Sequence, residues 1–152
     1  MNSTPAAPFG DALLIELPAD AGALARTLDR QEHLLRQAGI DEEACQRARL
    51  VSEEILSNAL RHAAASRVSV DMAVDVRGLR LSFCDDAEPF DPGRAATTDP
   101  DTPLAGRSTG GLGLLLVQHL ASALEYRREN GCNRLDVLLA AVPGRDRDDT
   151  SS

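Results

Sequence analysis

Two alternating apolar runs, set back to back, constrain the fold of this chain more than any other feature. Val68, Val70, Met72, Val74 and Val76 recur at every second position, with Ser69, Asp71 and Asp75 between them. After the turn signal Arg77-Gly78, Leu79, Leu81 and Phe83 resume the alternation. A period of two sends successive side chains to opposite faces of a strand, so both runs bury one face and wet the other. Two such strands joined by a short turn make an antiparallel hairpin. Its apolar face needs a cover, and helices can supply one.

The spacing predicts those helices. Leu24, Leu28, Leu34 and Leu35 give helical periodicity from Asp20 to Ala38, and Gly39 stops the run as a C-terminal cap. Asp41 reads as an N-cap, with Glu42 and Glu43 in the first turn where the helix dipole favours acids. The helix it starts runs to about Ala64, with Val51, Ile55 and Ala59 as its buried stripe. Gly110-Gly111-Leu112-Gly113 opens a third helix ending near Ala123. Ala12 to Leu17, stopped by Pro18, reads as a short strand. Glu125 to Glu129, a turn at Asn130-Gly131, and Leu135, Val137 and Leu139 read as a closing hairpin. The expected fold is an α+β two-layer sandwich. It has a mixed, mainly antiparallel sheet of about five strands, with three helices on one face.

At 152 residues the chain fits one domain. Residues 1–10 are Pro/Ala/Ser-rich and expected to be flexible, and the charged tail 143–152 is expected to be disordered. Between them 11–142 is expected to form the domain. The Pro/Asp/Gly/Thr-rich stretch of about 86–110 has no period, and a loop that long is usually functional, often a lid. Aromatic residues are 3% of the chain with no Trp, so the core is aliphatic. No secretory signal or apolar stretch of membrane-spanning length (roughly 20 residues) is present, which predicts a cytoplasmic location and no membrane partner. The three cysteines are far apart, without metal-ligand spacing.

All 16 basic residues are arginine. A chain without lysine has no Walker-type phosphate loop, no Schiff-base amine and no two-lobed protein-kinase site. A net charge of −8 argues against direct nucleic-acid binding.

Three constellations carry chemistry. Glu54, Asn58 and His62 are spaced i, i+4, i+8, so they share one stripe beside the buried one. Such a stripe is commonly a solvated face. Here it would also place a carboxylate one turn from an amide oxygen, a pair able to polarise a nucleophile and hold a hard cation. Second, the strand ending at Phe83 empties into Cys84-Asp85-Asp86-Ala87-Glu88-Pro89-Phe90-Asp91-Pro92. This could be a plain turn, but Asp85 continues the inward parity of Leu81 and Phe83. An inward carboxylate needs a donor, such as the exocyclic amine of a purine. Third, Arg107-Ser108-Thr109-Gly110-Gly111-Leu112-Gly113-Leu114 leads glycines into a helix. That is either a hinge or a cradle of backbone N–H groups for phosphates.

The order of the three is more specific than any one. Together with Tyr126 to Leu135, these stretches resemble the GHKL (Bergerat) ATP-binding fold shared by histidine kinases, gyrase-type topoisomerases and heat-shock chaperones. The chain is most similar to the small anti-sigma factor serine kinases, over roughly residues 12 to 141. The resemblance implies ATP and Mg²⁺ as cofactors. It makes Glu54 the base on a substrate serine, Asn58 the Mg²⁺ ligand at the ATP phosphates, and Asp85 the acceptor for the adenine amine. Gly110, Gly111 and Gly113, with Ser108, Thr109, Leu112 and Leu114 around them, would wrap the phosphates under a lid. Arg107 would add positive charge there, and His62 would stand near the nucleotide or pack in support. The implied partners are an antagonist protein, phosphorylated on serine, and a sigma factor or other regulator, and homodimers are frequent in the family. The motif departs at Ala87, where the family has Gly. A left-handed backbone there would cost an alanine about 1–2 kcal/mol. Ala87 thus keeps an alternative open, a non-catalytic module that sequesters a partner.

Overall fold

A computed structural model describes residues 7–8, 12–62, 65–89 and 109–140 of the protein. In chain order the elements are β1 (Ala7–Pro8), β2 (Leu13–Glu16), α1 (Ala23–Gln37), α2 (Glu42–His62), β3 (Arg67–Asp75), β4 (Gly78–Asp85), α3 (Thr109–Leu120), β5 (Ala123–Glu129) and β6 (Cys132–Leu139). The strands form one sheet in the order β1-β3-β4-β6-β5, with β2 also on β3. Every ladder is antiparallel. β1 pairs with Val74 and Ala73, and β2 with the other end of the same strand, from Val70 to Arg67. The two therefore share one edge, and the sheet has five strand positions. The three helices among the described residues form the second layer, and the architecture is the α+β sandwich expected from the patterning.

The alternating hairpin forms in the expected register, with Met72 opposite Leu81 and Val70 opposite Phe83. Val68, Val70, Met72, Leu79, Leu81 and Phe83 are buried. Val76 departs from the alternation. Asp75 pairs with Gly78, so Val76 and Arg77 are the two turn residues, and Val76 is fully exposed. The turn falls one residue earlier than the Arg77-Gly78 signal suggests. The Asp75 carboxylate accepts from the Arg77 backbone N–H at 2.8 Å, which holds that turn.

The helix ends follow side-chain chemistry. At the end of α1, Gly39 N–H donates to Arg36 O and Ile40 N–H to Leu35 O, with Gly39 at φ 84°. This is a Schellman motif, and it needs a residue free to adopt positive φ. Asp41 then caps α2 through the Ala44 N–H at 2.8 Å. Ahead of α1, the Asp20 carboxylate takes the Gly22 N–H and pairs with Arg26.

The core lies between the layers. Leu35 of α1, Val51, Ile55, Leu56 and Ala59 of α2 and Val117 of α3 pack on the inner face of the sheet, with Leu135, Val137 and Leu139 from β6. Each fully buried leucine or valine contributes about 1.5–3 kcal/mol over its exposed state. One polar pair is sealed in the helical layer: Ser52 Oγ donates to Gln31 Oε1 at 2.7 Å, and Gln31 Nε2 donates to Ala48 O. The outer face is polar, with Ser82 donating to Asp136 and Arg127 paired to the same carboxylate. Among the described residues no helix is long and apolar enough to cross a membrane.

Candidate functional site

α2 contributes the first part of the site. It packs against α3 and lies over β3, β4 and β6. Val51, Ile55 and Ala59 face the sheet and are buried. Glu54 and Asn58, one turn apart beside that stripe, are half-buried. Among the described residues neither the Glu54 carboxylate nor the Asn58 amide has a hydrogen-bond or ion-pair partner. Two polar groups in that state at the edge of a core retain their full capacity for a ligand. A carboxylate and an amide oxygen are also the hard donors that a cation such as Mg²⁺ prefers. His62 is the last residue of α2.

β4 contributes the second part. Asp85 closes the strand on the inner face, opposite Val68 on one side and Asn133 on the other. Across β6, Asn133 is opposite Arg128. One row thus runs Val68, Asp85, Asn133, Arg128 across four strands. Asp85 Oδ1 accepts from the Ala87 backbone N–H at 3.0 Å and from Asn133 Nδ2 at 2.9 Å. Asn133 Nδ2 also donates to Glu88 O at 2.7 Å, with a longer contact of 3.4 Å to Ala87 O. Arg128 donates to Ala87 O at 2.6 Å. The 85–88 segment is therefore clamped by two side chains from the β5–β6 hairpin. Within the same segment, Asp86 accepts from the Ser66 hydroxyl and the Ser66 and Arg67 N–H groups, and these bonds hold its carboxyl down at about 2. That tie joins the end of β4 to the start of β3.

Among the described residues Asn130, at φ 54°, is the non-glycine residue with positive φ. Ala87 is therefore outside the left-handed region, and the cost anticipated for an alanine there does not arise. Ala87 is buried, and its N–H and C=O are both bonded within the clamp.

The third part is the start of α3. Thr109, Gly110, Gly111, Leu112, Gly113 and Leu114 form its first turns. The free N–H groups of a helix start suit an anion. Arg107 and Ser108 lie outside the described residues, as does most of the 86–110 loop.

Asn133, Tyr126 and Arg128 belong to the site but carried no role in the sequence reading. Tyr126 hydroxyl donates to Asn133 Oδ1, and the pair sits on the inner face beside Asp85. A partial signal exists. Asn130-Gly131, both at positive φ, fix a two-residue turn, and that turn sets Arg128 against Asn133. The pairing of β6 with β4, which brings Asn133 to Asp85, is non-local and leaves no comparable mark. Next to Asp85, burial pushes the Cys84 thiol up, and that side chain belongs to the outer face with Arg134.

Known proteins resemble this chain in sequence and in fold. The serine/threonine-protein kinase BtrW of Bordetella bronchiseptica is 28% identical over 98 residues, 62% of this chain and 69% of that protein. The RsbU and RsbW domains of Rv1364c from Mycobacterium tuberculosis superpose with a TM-score of 0.58 at 18% identity, over 88% of this chain. This chain covers 34% of that solved chain, and at 18% identity the likeness is one of fold. The histidine kinase AdeS of Acinetobacter baumannii is 15% identical, with a TM-score of 0.48 over 86% of this chain and 67% of its own. Residues 17–139 match the histidine kinase-like ATPase domain family, and the chain belongs to it.

Proposed function

We propose that this protein is an ATP-dependent serine kinase that phosphorylates a small antagonist protein in an anti-sigma-type partner switch. The observation that carries the reading is the pair Glu54 and Asn58, half-buried on one stripe of α2 and unpartnered among the described residues. The likeness to a relative named a serine/threonine-protein kinase supports it.

In this reading Asp85 accepts the adenine amine on its open oxygen, and the clamp at 85–88 holds that oxygen in place. Backbone N–H groups at the start of α3 hold the phosphates. Arg107 and the flanking Ser108 and Thr109 add to that end. The Glu54 carboxylate accepts the proton of the substrate serine as its Oγ bonds to the γ-phosphorus. The bond from that phosphorus to the bridging oxygen breaks, and ADP leaves with the electron pair. Asn58 Oδ1, with phosphate oxygens, would hold Mg²⁺, which offsets charge on the transferring group. The net charge of −8 makes that offset more needed.

The alternative, a non-catalytic module that sequesters its partner, drew on Ala87. Ala87 lies outside the left-handed region, so a strained backbone there does not favour that reading. Incubation with Mg-ATP and a serine-bearing antagonist tests the proposal. Phosphoserine is expected on the antagonist with the wild-type protein. It should be absent with Glu54→Ala, which should still bind ATP. Saturable ATP binding without transfer by the wild-type protein would favour the module.

A further inference from the structure

The carboxylate of Asp85 is used unequally. Each carboxylate oxygen has two lone-pair sites. On Oδ1 both are filled, by the Ala87 N–H at 3.0 Å and by Asn133 Nδ2 at 2.9 Å. Among the described residues no donor reaches Oδ2. The orientation of the Asn133 amide is set by chemistry. Asp85 and the carbonyls of Ala87 and Glu88 are acceptors only, so the NH₂ must face them. The hydroxyl of Tyr126 then donates to Oδ1 of Asn133 and ties the amide to β5. Asn133 is buried, so its amide is largely shielded from water, while Asp85 and Tyr126 are half-buried.

We infer that Asn133, held by Tyr126, sets the base specificity of the site by filling one oxygen of Asp85 and leaving the other as a single acceptor. The inference rests on the ATP-binding reading above. A 6-aminopurine offers one donor at this edge, its exocyclic amine, beside the N1 acceptor. Guanine offers two adjacent donors, N1–H and the 2-amino group, and a carboxylate with both oxygens open would take them side by side. With Oδ1 filled, one of guanine's donors would be buried without a partner, and sites reject such ligands strongly. Asn133 is a positioning residue here, acting on the base through Asp85.

Calorimetric titration of the full chain with Mg-ATP and with Mg-GTP tests this. The wild-type protein should prefer Mg-ATP by at least about tenfold, the effect of one charge-assisted hydrogen bond. Asn133→Leu keeps the bulk and removes the donor, so the ATP-to-GTP affinity ratio should fall by about tenfold. Tyr126→Phe releases the amide and should lower the ratio in the same direction by a smaller factor. It serves as the test if circular dichroism shows that Asn133→Leu does not fold. A purely structural role would weaken both nucleotides in parallel. An unchanged ratio in a folded variant, with wild-type binding intact, therefore overturns the inference alone. Wild-type protein that binds neither nucleotide overturns the ATP reading, and the inference with it.

Discussion

At the end of β4 the Asp85 carboxylate has one oxygen held by two donors, and the segment after it is clamped to the β5–β6 hairpin. On α2, by contrast, Glu54 and Asn58 have no partner among the described residues. The first region is assembled before any ligand arrives. A fixed acceptor recognises a base at little cost in ordering. The second region is bare among the described residues, as the proposed base and metal ligand need to be if they are to act on something else. In the proposed function, rigid recognition and open reactive groups are thus divided between a sheet end and a helix. The sheet end has the long-range ladders to hold its side chains in place, and the helix has the spacing to line two groups up.

That division can be broken experimentally. Glu54→Gln keeps the side-chain shape and removes the base. Phosphotransfer should fall by about 10²–10⁴-fold while ATP affinity stays within about twofold, measured by radiolabel transfer and calorimetry. A parallel loss of binding would place Glu54 with the recognition groups instead. Asn58→Ala should weaken Mg-ATP by about tenfold to a hundredfold and leave nucleotide binding in EDTA nearly unchanged, since only the metal is lost. Equal weakening with and without Mg²⁺ would contradict the assignment. Ala87→Gly sharpens the other side of the comparison. The backbone there does not use positive φ, so glycine gains nothing and should lower stability by about 0.5–1 kcal/mol in urea unfolding. A rise in stability would mean that Ala87 is strained after all.

The smallest effect concerns the tie at Asp86. Its hydrogen bonds hold the folded-state carboxyl at about 2, below its ordinary 3.8. A depressed folded value stabilises the native state above the unfolded value, and that contribution is lost as pH falls towards about 2. Asp86→Asn should therefore flatten the acid-side loss of stability between pH 4 and 2 and leave the shape of the curve above pH 5 unchanged. An acid limb that matches the wild-type protein would show that the tie is absent in solution.

Much of this was legible in the sequence because it is local. Alternation from Val68 to Phe83 gave the hairpin, the Asp41 cap and Gly39 marked the helix junction, and Asn130-Gly131 marked the last turn. The i, i+4 spacing aligned Glu54 with Asn58, and strand parity turned Asp85 inward. Val76 misled because it continues the apolar pattern, although the turn needs that position and leaves it exposed. The Asp85–Asn133 bond was not legible, since it depends on the register of strands whose contacts are 48 residues apart. The sealed Gln31–Ser52 pair was hidden likewise, because polar residues on helices read as solvated until the helices are packed.

In the proposed site Asp85 presents one oxygen to an adenine amine. Titration of Mg-ATP into wild-type protein and Asp85→Asn measures it directly. In the variant the Asn133 and Ala87 donors would claim the one remaining carbonyl oxygen, turning the new NH₂ towards the base, donor against donor. Saturable binding to the wild-type protein is expected, with a loss of at least about tenfold in the variant. Equal affinity of the two proteins, or no binding to the wild-type protein, would contradict it.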